Sequence, residues 1–228
     1  MSPPVAVIIP ALNEALAIGE VLKSIPKDHV RQIIVVDNGS EDNTSAIART
    51  FHVDVIREHR KGYGNAVQAG VRVIKPDIEI VVVLDADFSD DPTQLPLLTG
   101  PIFSGEYDLV MSYRCPNLMK INAMPFIQKC GNLFVCKLVS LLYRVDFKDM
   151  GPFRAIRMRS LETLNLSDPS YGWNIEMQLK AIHHELRILE IPTSYRPRIG
   201  KSKISGTIIG TIKAGFIIIL TCLKNLRW

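Results

Sequence analysis

Short apolar runs alternate with helix-patterned stretches over the first half of the chain. Residues 5–9, 33–36, 53–56, 80–84 and 108–112 are brief, the first four rich in β-branched residues, and each reads as a strand. Between them Ala15, Ile18, Val21 and Leu22 share one helical face that runs to about Ile25, with Asn13 as a cap. Asp42 opens a second helix to about Phe51, KGYGNAVQAG (61–70) a third, and 95–103 reads as a fourth. Strand and helix alternating with short connections over about 110 residues predict an α/β fold with a mostly parallel, doubly wound sheet.

The second half is less regular. Residues 127–143 are apolar at helical spacing, and Gly151-Pro152 breaks that pattern. A helix over 174–184 and a strand over 186–191 follow, then a basic loop, SYRPRIGKSKIS. Residues 204–223 are apolar apart from Lys213.

The run VVVLDADFSDDP (81–92) changes the picture from fold to chemistry. An unbroken apolar strand buried on both faces ends in Asp85 and Asp87. Two carboxylates at the carboxyl end of a central strand are costly unless a positive group sits there. That end is also where open α/β sheets bind ligands. The reading is a divalent cation, Mg²⁺ or Mn²⁺, on Asp85 and Asp87, bridging to nucleotide phosphates. The competing reading, a helix cap before Pro92, covers Ser89, Asp90 and Asp91 but not the first two aspartates. Asn13 with Glu14, and Asp37, fall at two further strand ends, so a parallel sheet sets all three clusters along one rim. Asp37 is a candidate partner for a ribose hydroxyl or base N–H; DNGS can equally be turn chemistry. Gly62 and Gly64 form a partial GxGxxG with Val67 at the third glycine position, which argues for a glycine-rich helix start over a dinucleotide fingerprint.

Composition adds boundaries. The 228 residues suit one large domain, and 22% charged residues exclude disorder. A net charge of +4 is too weak to point to nucleic acid. Cys115, Cys130, Cys136 and Cys222 show no metal-like spacing and read as reduced thiols. The N-terminus lacks the pattern of a secretory signal, which suggests a cytoplasmic location at a membrane surface.

PALNE, DNGSEDNT, GYGNAVQAG, DAD and SYR occur in an order that resembles family 2 glycosyltransferases of the GT-A fold. DMGPFRAIR, YGWNIEMQLKA and IPTSYRPRIGKSKIS resemble the branch holding dolichyl-phosphate mannose synthases and polyprenyl-phosphate glucosyltransferases. The likeness covers about residues 5–206. It implies that Pro10, Leu12, Glu14 and Asp37 hold the nucleotide, with Asp85 and Asp87 as the metal-binding pair. It implies that Arg114 and Arg154 orient an acceptor phosphate, and that Arg198, Lys201 and Lys203 close over the diphosphate. Relatives carry Gln where this chain has Ser89, and SGFR where it has GPFR.

The expected activity is inverting transfer of a hexose from UDP-glucose or GDP-mannose to a polyprenyl phosphate. Such an acceptor is largely ionised near neutral pH and needs positioning more than a base. A hydroxyl acceptor would need a carboxylate base, Asp149 or Glu176; Glu176 can equally serve a surface salt bridge. A non-catalytic nucleotide-sugar-binding subunit is the alternative of a different class. Residues 1–206 read as the transferase domain and 207–228 as a C-terminal apolar helix. Lys201, Lys203, Lys224, Arg227 and Trp228 flank that helix, which suits a membrane interface. Its rival readings are packing on the domain's own core, a homodimer contact, or a contact with a membrane subunit.

Overall fold

The computed structural model describes residues 4–200 and 208–225, with the side chains of 208–214 excepted. Seven strands form one sheet: β1 Val5–Ala11, β2 Gln32–Asp37, β3 Asp54–Arg57, β4 Ile80–Val83, β5 Leu109–Met119, β6 Arg154–Arg157 and β7 Ile188–Tyr195. Their order is β3-β2-β1-β4-β6-β5-β7. β6 runs antiparallel to both neighbours, and the other pairings are parallel.

Helices cover both faces. On one side α1 (Ile18–Ser24), α2 (Thr44–Arg49) and α4 (Leu95–Phe103) bury Ile18, Ala48 and Leu98 with Val7, Ile9 and Val82 of the sheet. On the other, α3 (Tyr63–Val71), α5 (Phe126–Tyr143), α6 (Met158–Leu164) and α7 (Trp173–His183) pack around Ile8, Val81 and Val83. Alternate residues of β1 and β4 serve opposite faces, which is why the central strands read as unbroken apolar runs.

The expected elements of the first half are present with shifted ends. Asn13 does not cap α1. That helix starts at Ile18 after Ala17, without a side-chain cap. Asn13 adopts φ 52° and ties the β1 loop to the β2 loop instead, donating its N–H to Ser40 Oγ and accepting from the Glu41 N–H. β6 and α6 are new. Arg154 is fully buried within β6, and an arginine at a buried strand position hides the strand from any apolar pattern.

The last helix, α8 (Ile208–Asn225), lies against α5 and α7. Cys222 is buried, and its carbonyl accepts from the Tyr143 hydroxyl, while Thr221 Oγ1 donates to Asp168. This face therefore packs on the domain's own core. No helix among the described residues is long and apolar enough to cross a membrane. Lys201, Lys203, Arg227, Trp228 and the Lys213 side chain lie outside the described residues.

Candidate active site

The carboxyl ends of β2, β1 and β4 lie side by side, at the point where the chain turns from one half of the sheet to the other. Ligands bind at that crevice in open α/β sheets. Here it is a cleft of about 530 Å³. Pro10, Leu12 and Glu14 line it from the end of β1, Asn38 from β2, Asp85 and Asp87 from β4, and Arg198 from the basic loop. The predicted rim thus forms, with one exchange. Asp37 turns inward, where Oδ1 accepts from the Ser40 N–H at 2.8 Å and Oδ2 from the Ser45 hydroxyl at 2.6 Å. Burial raises its pKa, but these hydrogen bonds outweigh that and hold it below the usual carboxylate value. Its neighbour Asn38 lines the cleft and is fixed by the carbonyls of Glu58 and Arg60 and by the Gly62 N–H.

The Asp85–Asp91 loop and the basic loop are fastened together. Arg196 N–H donates to the Ser89 carbonyl and Ile199 N–H to the Asp87 carbonyl, each at 2.9 Å. The Arg196 guanidinium pairs with Asp91 at 3.0 Å and stacks 4.0 Å above the Phe88 ring. Arg198 bridges Glu14 at 2.7 Å and Asp87 at 3.2 Å. Phe88 holds φ 62°, a left-handed conformation costly for a bulky residue, and it sits directly after Asp87. Ser89 donates both N–H and hydroxyl to Asp87 Oδ1 at 2.9 and 2.6 Å. The short Ser89 hydroxyl thus aims Asp87.

Negative charge is left over. No cation among the described residues pairs directly with Asp85. Burial, then the Asp87 carboxylate, push its pKa upward. Asp91 caps the turn after it, accepting from Thr93. Asp90 does not share that role. It is buried, and neither of its oxygens has a hydrogen-bond partner among the described residues.

Four other predicted residues, Arg114, Asp149, Arg154 and Glu176, lie behind the cleft. Asp149 is buried and accepts from the Arg114 backbone N–H at 2.8 Å, from its Nε at 2.6 Å, from its Nη2, and from the Met150 N–H. Burial alone would lower the Arg114 pKa, but Asp149 outweighs it and holds it up. Arg154 donates to the carbonyls of Gly151, Pro152 and Asn174, tying β6 to α7, and burial pulls its pKa down to about 10. Glu176 accepts from the N–H groups of Ser167 and Asp168 and pairs with Lys180 at 2.9 Å. None of these four side chains lines the cleft.

Lys61, Tyr63, Ser170 and Tyr171 line the cleft and escaped the sequence reading. Their signal was the glycine-rich stretch itself. A Cβ at Gly62 would lie 2.2 Å from the Pro169 carbonyl oxygen, and one at Gly64 would lie 1.9 Å from that of Asp168. Gly64 and Asn65 donate their N–H groups to Ser170 and Pro169. The glycines thus seat α3 against the 168–171 loop, and those amides are spent on it.

A second chamber of about 270 Å³ adjoins the first and shares Asp85, Tyr63 and Tyr171 with it. Val135, Ile175, Ile218 and Met150 make it largely apolar, and it lies beneath α5 and α8. A chamber that carries Glu14, Lys61, Asp87 and Arg198 and a largely apolar chamber therefore meet at one carboxylate, Asp85.

Residues 6–163 match glycosyl transferase family 2. The chain belongs to that family. The transferase is 35% identical to an uncharacterised glycosyltransferase of Mycobacterium tuberculosis, covering 92% of this chain and 94% of that one. It is 31% identical to a dolichyl-phosphate hexose transferase of Haloferax volcanii over 96% and 94% of the two chains. It is 30% identical to an undecaprenyl-phosphate mannosyltransferase of Micrococcus luteus over 90% and 89%. Its fold superposes with TM-score 0.79 on Mycobacterium tuberculosis glucosyl-3-phosphoglycerate synthase, crystallised with Mn²⁺, UDP-glucose and phosphoglyceric acid. That likeness spans 97% of this chain and 79% of that one at 23% identity, and it establishes the GT-A fold of the transferase.

Asp85 and Asp87 fit a divalent cation. They are hard oxygen donors at one end of β4, with uncompensated charge around Asp85. Among the described residues no three His, Cys, Asp or Glu side chains converge as a complete cage, so the remaining ligands would come from substrate phosphate and water.

Proposed function

We propose that the transferase moves a hexose from a nucleotide diphosphate sugar, UDP-glucose or GDP-mannose, to a polyprenyl phosphate, with inversion at the anomeric carbon. The observation that carries this reading is the meeting of the two chambers at Asp85. The first chamber, with its charged groups beside apolar walls, suits a nucleotide diphosphate, and the apolar one suits the first isoprene units of a lipid phosphate. The two relatives named for dolichyl- and undecaprenyl-phosphate transfer support it.

The nucleotide lies along Pro10, Leu12, Glu14 and Asn38. A Mg²⁺ or Mn²⁺ ion on Asp85 and Asp87 would stabilise the charge that develops on the leaving diphosphate. Arg198 and Lys61 face the same charge from the other wall. Lys201 and Lys203, expected to join them, lie outside the described residues. Asp149 and Glu176 have their oxygens occupied by protein donors, which disfavours either as a general base. A phosphate acceptor, already ionised, needs none. Arg114 and Arg154 act as positioning residues: the first is locked to Asp149, and the second fixes the start of α7, which carries Asn174 into the apolar chamber. The lipid acceptor places the transferase peripherally at the cytoplasmic membrane face.

Labelled UDP-glucose and GDP-mannose, each offered with polyprenyl phosphate or with 3-phosphoglycerate, test the reading. Organic-extractable product of inverted configuration is expected from one donor. Product confined to the aqueous phase overturns the acceptor. Retained configuration overturns the single displacement.

A further inference from the structure

The inner face of α5 is accounted for, but its outer face is apolar as well. Val135, Cys136 and Val139 turn into the core. On the opposite side Phe126, Ile127, Leu133, Phe134 and Leu141 are exposed, Phe126 by 81% and Leu141 by 79%. Their spacing of three, four and seven residues places them with Cys130 and Lys137 on a single stripe about a third of the helix circumference wide. Ile121, just before the helix, is 89% exposed. α8 packs beside α5 and adds Phe216, Leu220 and Leu223 at matching helical spacing, all exposed. So many large apolar side chains on two adjacent helices exceed the scattered exposure normal for a monomer.

Charge in the segment that carries this stripe is mostly positive. Between residues 118 and 148 stand Lys120, Lys129, Lys137, Arg144 and Lys148, all exposed, against Asp146 alone. Five basic residues and one acidic leave a surplus of four, equal to the net charge of +4 of the whole chain. An apolar stripe that carries Lys137 and has further lysine and arginine near it in the chain complements a surface with an apolar interior and anionic headgroups. A second copy of the chain would set the same basic residues against one another, which disfavours a homodimer through this face. The stripe also lies directly over the apolar chamber, since Val135 of α5 and Ile218 of α8 line that chamber from their inner sides.

We infer that the outer face of α5, continued by Phe216, Leu220 and Leu223 of α8, docks the transferase on an anionic lipid bilayer. α5 lies along the interface with its apolar side chains among the acyl chains and its basic residues at headgroup level. The docking then sets the apolar chamber, and Asp85 at its end, beneath the helices that touch the lipid. The described part of the C-terminal helix contributes its outer edge to this surface. The choice of lipid as occupant rests in part on the acceptor proposed above, so the test separates the two.

Full-length protein is sedimented with vesicles of phosphatidylcholine alone and of phosphatidylcholine mixed with phosphatidylglycerol. Binding to the mixed vesicles, weakened by salt, is expected. Phe126→Glu and Leu133→Glu, both at exposed positions, are each expected to lower that binding about tenfold. Lys129→Gln and Lys137→Gln are each expected to lower it about fivefold. Unchanged thermal unfolding shows that the variants fold. No vesicle binding by the wild type, or unaltered binding by the Phe126→Glu, Leu133→Glu double variant, overturns the inference. So does a dimer in solution that the same double variant dissociates. Vesicle binding needs no substrate. Intact binding without transfer to polyprenyl phosphate leaves the docking surface standing and overturns the acceptor, whereas transfer to a short-chain acceptor without vesicle binding does the reverse.

Discussion

Replacing Asp149 by asparagine removes one charge and leaves the shape of the side chain. In the structure that carboxylate is buried and holds Arg114 through its backbone N–H, Nε and Nη2. Arg114 is itself mostly covered and sits 5.4 Å from the Tyr195 ring centroid, beside the loop that clasps Asp87. Removing one partner of a buried pair strands the other charge and costs about 3–5 kcal/mol. For a chain of this size each kcal/mol lowers Tm by about 2–4 °C, so Asp149→Asn should melt about 6–20 °C lower. Adding Arg114→Met removes the stranded guanidinium and should recover part of that loss. Differential scanning fluorimetry reads stability, and turnover per folded molecule reads chemistry. A general base at Asp149 predicts the opposite pattern: a rate loss of about 10²–10⁴ with Tm little changed. That pattern would refute the anchoring role and restore a hydroxyl acceptor.

Gly64→Ala should be severely destabilising or fail to fold, because its Cβ would meet the Asp168 carbonyl oxygen at 1.9 Å; a soluble variant with wild-type Tm contradicts the packing role. Gly131→Ala, in the exposed interior of α5 with no atom within 4 Å of its Cβ, should stabilise by about 0.5–1 kcal/mol in thermal or urea unfolding. Glu58 is held by Arg60 and Arg72, and the Arg60 hydrogen bond leads in drawing its pKa from 4.5 to about 2. A depressed carboxylate stabilises above its unfolded pKa, and that share is lost as pH falls from about 4.5 to about 2. Glu58→Gln should flatten the acid limb of stability in that window, and an unchanged limb contradicts the pairing.

The sheet and its functional edge were legible because both depend on short-range pattern. Apolar runs of four or five residues ending in Asn13-Glu14, Asp37-Asn38 and Asp85-Asp87 fix which strand ends face the ligand. The direction of each side chain at those ends was not legible. Whether Asp37 or Asn38 faces the cleft depends on Ser40 and Ser45 capturing the first carboxylate. β6 was hidden by Arg154, since a buried guanidinium satisfied by carbonyls looks in sequence like a surface residue. Asp149 and Glu176 carried the signature of bases, and only their hydrogen-bond partners reveal them as anchors. Asp90 resembled a cap, and its burial distinguishes it from Asp91. α5 read as one apolar helix, and the structure divides it into a packed face and an exposed one.

The central claim is that Asp85 and Asp87 hold a divalent cation that binds a nucleoside diphosphate. Calorimetric titration of UDP and of GDP, each with and without Mn²⁺, tests it directly on the wild type and on Asp85→Asn. The account predicts that one nucleotide binds at least about tenfold more tightly with Mn²⁺, and that Asp85→Asn abolishes the difference. Equal affinity with and without the metal in the wild type would contradict it.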